Sequence, residues 1–332
     1  MPIKLVTDTP IDGHHRRIYR NSPGLAARQQ ASRYTAFCMW AEANDFNPIE
    51  YLLPQIIVPT ETTPFLYETR FAGSDIVPPT PAEIASLGPW HYQLEFGPVS
   101  TRNRRDELDW YIHRYRANAL VDLAAEIAGG QQTDLSVLDV ASHCGVFSLQ
   151  FAEHGFGSVT GLDLRNENLA QARFLADAYR IDGVRFEQGN VRNLGMREQA
   201  DIVFCGGLLY HVTFPMELLT DLFETTKEFL ILDTLCQKHP FSGFHLICSK
   251  DIGYTAEGET HFEFMPTYRG VIDGLFAVGF TEVYEILGSG AKDTRLYKDG
   301  NLRSFLAVKN KDGIFRKWAS RIDQSSAAIM ST

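Results

Sequence analysis

Four short apolar segments of the sequence each lead into residues that can hold a small ligand. The first contains Asp139 and runs into a turn that closes at Gly145, and the second ends at Asp163. The third is followed by Asn190, and the fourth runs into Gly206. Small residues let a ligand approach backbone N–H groups, and a carboxylate after the second strand can hydrogen-bond a ribose diol. These residue types and spacings indicate a pocket for an adenosine-containing ligand.

The elements that position these residues alternate between strand and helix along the chain. Such alternation is typical of βαβ units and predicts an α/β fold, a doubly wound, Rossmann-like sheet of seven mostly parallel strands. A sheet of this kind binds its ligand beyond the carboxyl ends of its strands. Strands are predicted over 136–140, 158–163, 184–187, 200–205, 229–233, 282–286 and 304–308, and helices over 106–128, 146–154, 166–179 and 268–278.

The turn after the first strand favours S-adenosylmethionine over a nicotinamide dinucleotide. A dinucleotide site uses three closely spaced glycines to seat a pyrophosphate, whereas this turn holds only Gly145. Asp139 would repel a pyrophosphate but can lie near the ammonium of a methionine moiety. The predicted cofactor-binding residues are Asp139, Ala141, His143, Gly145, Asp163, Leu164, Asn190, Val191, Cys205 and Gly206.

At these residues the sequence resembles a known family. Residues 137–148 resemble motif I of class I S-adenosylmethionine-dependent methyltransferases, and residues 161–163 resemble the acid of their second strand. Residues 206–219, which contain Leu-Tyr-His, are similar to the group that includes bacterial tRNA wobble-uridine carboxymethyltransferases and many small-molecule methyltransferases. Further resemblance to this group occurs at residues 88–97, 264–267, 278–280 and 303–309, so that it spans about 88–310.

The sequence departs from this family in two respects. Motif I usually has glycines two and four places after its acid, where this chain has Ala141 and His143. Carboxymethyl chemistry needs a cation for the extra carboxylate of the modified cofactor, and the matching region has no clear lysine. The missing lysine and the net charge of −10 therefore predict ordinary S-adenosylmethionine as the cofactor.

The resemblance divides the chain into three parts. Residues 1–87 are rich in prolines and aromatic side chains, with one predicted helix over about 26–44, and form an accessory region that covers the site or makes a homodimer. Residues 88–310 form the methyltransferase domain, and residues 311–332 a C-terminal tail.

Two adjacent residues are the catalytic candidates. His211 follows the fourth strand and is the best candidate for a general base, although a structural histidine would fit the same position. Tyr210 resembles a cofactor-contacting tyrosine of the group, or else packs in the core. The candidate acceptor-binding residues are Trp90, Tyr92, Asp233, Glu263, Tyr268, Arg269 and Arg303.

Composition limits the classes of substrate, cellular location and metal content that the protein can have. The chain has 31 basic and 41 acidic residues, a net charge of −10, which disfavours a nucleic-acid substrate. There is no apolar run long enough for a membrane helix and no signal peptide, and the five cysteines are scattered, so a cytoplasmic protein is expected. Cys236, His239, His245 and Cys248 have zinc-ligand types but an unsuitable spacing, and no metal is expected.

The expected activity is methyl transfer to an O, N or S atom of a small molecule. Methylation of an amino-acid thioether, such as methionine to S-methylmethionine, would use Asp233 or Glu263 to hold the ammonium and would need no base. The alternatives are an RNA-modifying enzyme of the same fold and a non-catalytic or NAD-binding Rossmann protein.

Overall fold

A nine-stranded sheet lies at the centre of the computed structural model, which describes residues 4–6, 53–58, 64–72, 75–101, 107–237, 239, 242–248, 262–288 and 301–330. The helix predicted over about 26–44 lies outside these residues. The strands are β1 Lys4–Val6, β2 Gln55–Val58, β3 Glu95–Phe96, β4 Val99–Ser100, β5 Ser136–Val140, β6 Ser158–Asp163, β7 Val184–Gln188, β8 Ala200–Gly206, β9 Thr226–Leu235, β10 Phe244–Cys248, β11 Phe262–Pro266, β12 Glu282–Gly288 and β13 Leu302–Val308.

The strand order of the sheet is β1-β2-β12-β13-β9-β8-β5-β6-β7. The five strands from β9 to β7 are parallel, and β13 runs antiparallel to both of its neighbours. This confirms the doubly wound α/β fold predicted from the sequence. The order reverses between β5 and β8, so a ligand site is expected at their carboxyl ends. Two strands are added to the predicted seven, because β2 pairs with β12 and β1 with β2.

Helices cover both faces of the sheet. The α-helices are α1 Pro81–Leu87, α2 Glu107–Ala128, α3 Val146–Glu153, α4 Asn166–Tyr179, α5 Pro215–Thr225, α6 Tyr268–Val278 and α7 Ile314–Met330, with 3-10 turns at Leu66–Phe71, Gln132–Asp134, Val191–Met196 and Leu209–His211. No helix among the described ranges is long and apolar enough to cross a membrane.

Alternate strand residues supply two separate hydrophobic cores, because successive side chains of a strand point to opposite faces. Val137 and Ile202 pack with α2, α3 and the start of α7 on one face. Leu138 and Val203 pack with α5 and α6 on the other. The two cores fix the sheet rigidly beneath the ends of β5, β6, β8 and β9.

Two small antiparallel pairs lie outside the main sheet. Strands β3 and β4 form one, within a segment that packs against α4. Strands β10 and β11 form the other, between β9 and α6, and β11 packs against the turn Leu209–His211. The second pair therefore lies over the carboxyl end of β8.

A buried ion pair ties the segment around residue 68 to α2. Glu68 Oε2 accepts a hydrogen bond from Arg114 Nη1 at 2.6 Å, and Oε1 accepts one from the backbone N–H of Glu95 at 2.9 Å. Burial raises the pKa of Glu68 to about 7, although the Arg114 guanidinium opposes the shift. Three segments that are distant in sequence thus meet at one carboxylate.

We expect Arg114→Met to lower the free energy of unfolding by about 3–5 kcal/mol near pH 8, because it leaves a buried carboxylate without its cation. The loss should shrink near pH 5.5: a carboxyl group whose pKa is raised in the folded state takes up a proton there and becomes neutral. Urea denaturation at both pH values measures the difference.

Arg316→Met is the matched control for this prediction. Arg316 binds Glu282 at 2.6 Å, but its side chain is 51% exposed, and an exposed pair contributes at most about 1 kcal/mol. An equal loss of stability for Arg114→Met at both pH values would show that the Glu68 charge is not its cause.

Candidate active site

The turn between β5 and α3 has left-handed backbone at three alternate residues. The φ angles are 59° at Ala141, 52° at His143 and 77° at Gly145. This conformation favours glycine and costs other residues about 1–2 kcal/mol each. The turn is held by a 2.8 Å hydrogen bond from Ser142 N to the carbonyl oxygen of Leu162. The chain therefore keeps the backbone path of a glycine-rich turn with two residues that are not glycine.

Two carboxylates flank this turn at the carboxyl ends of β5 and β6. Asp139 is buried, and its Oδ2 accepts a 2.6 Å hydrogen bond from Ser148 Oγ in the first turn of α3. Burial raises the pKa of Asp139 to about 7, against the effect of the Ser148 hydrogen bonds. Asp139 is thus a buried acid beside a helix N-terminus, in a position where a cationic ligand group would stabilise its ionised form.

Asp163 accepts hydrogen bonds on both carboxylate oxygens. Oδ2 binds the backbone N–H of His143 at 2.9 Å, and Oδ1 binds Arg165 N at 2.9 Å and Asn168 Nδ2 at 3.1 Å. Burial raises its pKa above the ordinary range. A carboxylate has about four acceptor positions, and these bonds use three. The fourth could accept a ribose hydroxyl.

The other predicted cofactor residues differ in their surroundings. Leu164 is partly exposed beside Asp163, whereas Cys205 is fully buried beneath the edge of the sheet. The Asn190 side chain accepts a 2.9 Å hydrogen bond from Arg192 N and caps the 3-10 turn that starts at Val191.

Glycine at 206 makes room for protein atoms. A Cβ there would lie 2.8 Å from the Phe204 ring and 3.3 Å from Arg116 Nη2. The neighbouring Gly207 has φ 78°, and a Cβ there would lie 3.6 Å from the Tyr210 hydroxyl and 3.7 Å from Arg116 Nη2. The two glycines thus admit a guanidinium and a phenol to the end of β8.

Three histidines and a tyrosine pack together beside the turn. The His143 ring lies 5.1 Å from that of His91 and 5.7 Å from that of Tyr92, and His113 of α2 lies 4.9 Å from His91. Burial, and then Arg165, lower the pKa of His143 to about 3, so its imidazole is neutral. This packing holds His143 in its left-handed conformation.

Trp90 lies apart from this cluster. Its Nε1 donates a 2.9 Å hydrogen bond to the carbonyl oxygen of Ile84, and its ring packs 6.2 Å from Phe174 of α4. Gln171 of α4 also donates to the carbonyl oxygens of Leu87 and Pro89. Trp90 therefore joins two segments of the fold, while its neighbour Tyr92 faces the turn.

His211 and Glu263 form a dyad at the carboxyl end of β8. His211 Nδ1 lies 2.5 Å from Glu263 Oε1, and the two side chains are 14% and 7% exposed. The ring of Tyr210 lies 4.1 Å from that of His211. Within the described ranges no hydrogen-bond partner contacts His211 Nε2. The structure thus brings Glu263, which the sequence singled out separately, to the adjacent pair Tyr210 and His211.

Asp233 belongs to a buried ion pair at the end of β9. Its Oδ2 lies 2.5 Å from Arg116 Nη2, and its Oδ1 accepts a 2.5 Å hydrogen bond from Ser304 Oγ. Asp233 is fully buried, and the Arg116 side chain is 8% exposed. Arg116 of α2 was not identified from the sequence, although it lies four residues before Leu120 on the apolar face of that helix.

The remaining predicted residues form contacts of their own. Glu285 accepts hydrogen bonds from the Tyr268 hydroxyl at 3.3 Å and from Arg303 Nη1 at 2.5 Å. Arg269 pairs with Asp273 one turn along α6, at 2.5 Å. These contacts are separate from the His211–Glu263 dyad.

The zinc-type residues do not converge on one point. The rings of His239 and His245 lie 5.8 Å apart, but Cys236 is buried and Cys248 is exposed. No group of three metal-ligating side chains occurs among the residues that the structure describes.

Because Asp233 neutralises Arg116, we expect Asp233→Leu to lower the free energy of unfolding by about 3–5 kcal/mol. The double variant Asp233→Leu/Arg116→Met should recover most of that loss, since no buried charge is left unpaired. Urea denaturation of the four proteins of this cycle gives the coupling energy. Normal stability of Asp233→Leu with loss of acceptor binding would instead place Asp233 in contact with the acceptor.

Comparison with known proteins agrees with this geometry. Residues 131–256 match a family model described as a methyltransferase domain. Over 220 residues, the chain is 28% identical to a tRNA U34 carboxymethyltransferase of Helicobacter pylori strain Shi470 and 26% identical to that of Helicobacter acinonychis, covering 64% of this chain and 78% of each relative.

A solved structure shares the fold. The N-terminal domain of EvdMO1 with SAH bound aligns with a TM-score of 0.53 and 20% identity, over 69% of this chain and 94% of that one. The family match over residues 131–256, the sequence relatives and the shared fold support an S-adenosylmethionine-dependent methyltransferase.

Proposed function

We propose that the protein methylates a hydroxyl or amine of a small molecule, with His211 as the general base. The observation that carries this proposal is the 2.5 Å contact between His211 Nδ1 and Glu263 Oε1. A carboxylate on Nδ1 fixes the imidazole tautomer, so the lone pair is on Nε2, and it stabilises the imidazolium formed when Nε2 takes a proton. A base held in this way is useful only if the acceptor must lose a proton.

The cofactor is S-adenosylmethionine, and the residues around the β5 turn fit it. Asp163 has an acceptor position left for a ribose hydroxyl. Asp139, an acid with a raised pKa and a hydroxyl partner, suits the methionine ammonium. The neutral imidazole of His143 adds no charge that would repel a cationic ligand. When bound, the cofactor supplies a methyl group activated by its sulfonium.

The dyad disfavours transfer to an amino-acid thioether. That hypothesis needs Asp233 or Glu263 to hold a substrate ammonium, but Asp233 pairs with Arg116 and Glu263 with His211. A thioether also has no proton to lose. S-methylmethionine synthesis would therefore not need the base formed by His211 and Glu263.

One observation favours RNA modification as the second candidate, namely that the sequence relatives are tRNA-modifying enzymes. The net charge of −10 argues against it, since phosphate binding depends on lysine and arginine. A filter-binding titration with bulk tRNA at low and high salt distinguishes an RNA substrate from a small-molecule substrate. A salt-dependent complex would favour the RNA substrate, and its absence the small molecule.

For the cofactor, we expect Asp163→Asn to weaken S-adenosylhomocysteine binding by about 1.5–3 kcal/mol, the usual contribution of a charged hydrogen bond. S-adenosylhomocysteine at about 100 times its dissociation constant stabilises the wild-type protein by about 2.7 kcal/mol. A thermal-shift titration can therefore follow the loss of affinity in the variant. Asp177→Asn, on the exposed face of α4, should bind normally. Unchanged affinity in Asp163→Asn would remove this residue from the cofactor site.

For the dyad, we expect His211→Ala and Glu263→Gln each to lower kcat by about 10²–10⁴-fold near neutral pH, the range for losing general-base catalysis. Cofactor affinity should be unchanged, and the Glu263→Gln pH–rate profile should differ from that of the wild type. Glu282→Gln is the control, because Glu282 begins β12 at the opposite end of the sheet. Full activity of His211→Ala with every acceptor would refute the proposed base.

A further inference from the structure

We infer that the acceptor is a weakly acidic hydroxyl on a flat ring, that is, a phenol or a ring enol. This inference rests on the proposed base and goes further by naming the acceptor class. It depends on three features of the site: the apolar neighbours of Glu263, the pairing of every site carboxylate, and the match between an imidazole base and its acid.

The hairpin of β10 and β11 places two apolar side chains beside Glu263. Glu263 and Met265 lie on the same face of β11, because side chains two apart in a strand point the same way. Ile247 of β10 is the direct cross-strand partner of Glu263 and shares that face. Met265 and Ile247 are both half-buried. The hairpin therefore presents one buried carboxylate, bound to His211, beside two apolar groups, with His245 opposite Met265 on the same face.

An aromatic ring also lies against the dyad. The Tyr210 ring lies 4.1 Å from the His211 ring, at 46° to it. Leu208 and Phe214, on either side of the turn that carries His211, are half-buried and pack on the core beneath β8. Aromatic side chains favour stacked or edge-on contact with other rings. An acceptor that reaches Nε2 thus comes close to the Tyr210 ring.

The described site leaves no carboxylate for a cationic acceptor. Asp139 and Asp163 are assigned to the ammonium and ribose of the cofactor, Asp233 binds Arg116, and Glu263 binds His211. An ammonium acceptor would have to leave water without a counter-charge, which is costly in an apolar site. A neutral hydroxyl has no such cost. Among acceptors that carry a proton, the described charges therefore favour a hydroxyl over an amine.

The pKa of an imidazole base indicates how acidic the acceptor hydroxyl should be. An imidazole has an ordinary pKa of about 6.5, and proton transfer is efficient when donor and acceptor are within a few units. A phenolic hydroxyl, with a pKa of about 10, meets this condition. An aliphatic alcohol is a far weaker acid than a phenol, so an imidazole activates it less effectively.

In the proposed step, the ring hydroxyl gives its proton to His211 Nε2, and its oxygen forms a bond to the methyl carbon. The carbon–sulfur bond breaks, and its electron pair stays on sulfur, giving S-adenosylhomocysteine and an aryl methyl ether. The imidazolium, stabilised by Glu263, returns the proton to water. Atoms and charges balance, since the sulfonium charge leaves as this proton.

The test is a panel of acceptors of similar size and different acidity. Wild-type protein with S-adenosylmethionine is incubated with 4-methylphenol, a nitrophenol, a cyclic enol, benzyl alcohol and benzylamine, and methylated products are measured by mass spectrometry. We expect methyl ethers from the phenols and the enol, at rates at least about 100-fold above those with benzyl alcohol or benzylamine.

The His211→Ala variant provides the second readout. Its methylation rate with 4-methylphenol should be about 10²–10⁴-fold below that of the wild type near neutral pH. With the nitrophenol, at a pH where that acceptor is already ionised, its rate should fall by less than about 10-fold. A variant that had merely lost its folded site would fail with both acceptors. The Glu282→Gln variant should behave as wild type throughout.

The outcomes separate this inference from the proposed function. Methylation of benzylamine or benzyl alcohol in preference to every phenol and enol, with dependence on His211, would overturn the acceptor class and leave the base in place. No ring-hydroxyl product from protein that binds S-adenosylhomocysteine would also overturn the class. Equal rates for wild type and His211→Ala with every acceptor would overturn both.

Discussion

The burial of acidic groups at the carboxyl edge of the sheet is the constraint on which the site depends. An ionised carboxylate taken out of water must find donors or a cation. Asp139 finds Ser148, Asp163 finds two backbone N–H groups and Asn168, and Asp233 finds Arg116. Each partner comes from another element, so these contacts hold α2, α3 and the strand ends in register. Folding and ligand binding are therefore coupled through the same few atoms.

The sequence predicted well what depends on local pattern. The five parallel strands and the helices after β5 and β6 occur where hydrophobic spacing indicated, because apolar periodicity reports which face is buried. Strand β2 was missed, since its four residues lie among prolines and gain their stability by pairing with β12. The contact between His211 and Glu263 was also missed. It joins residues 52 positions apart, and no local pattern encodes such a pair.

One signal in the sequence, a charged residue on the buried face of α2, was present but was not recognised. Arg116 lies in line with Leu120, Leu123 and Ile127 on the buried face of α2, and a charge in that line implies a buried partner. His143 stands where motif I usually has a glycine. The structure shows the glycine-type backbone retained at that residue, with its ring packed against His91. Tertiary packing has offset a local conformational cost.

Neutralisation of the site's acids also limits how the acceptor can be recognised. Charge complementarity needs an unpaired ion, but the described carboxylates near the β5–β8 switch point already have donors or a cation. Recognition then depends on shape, apolar contact and the proton that His211 can accept. Such a site discriminates poorly between rings that differ by one methyl group, worth about 1–3 kcal/mol. It also discriminates by acidity, because an imidazole activates a more acidic hydroxyl more effectively.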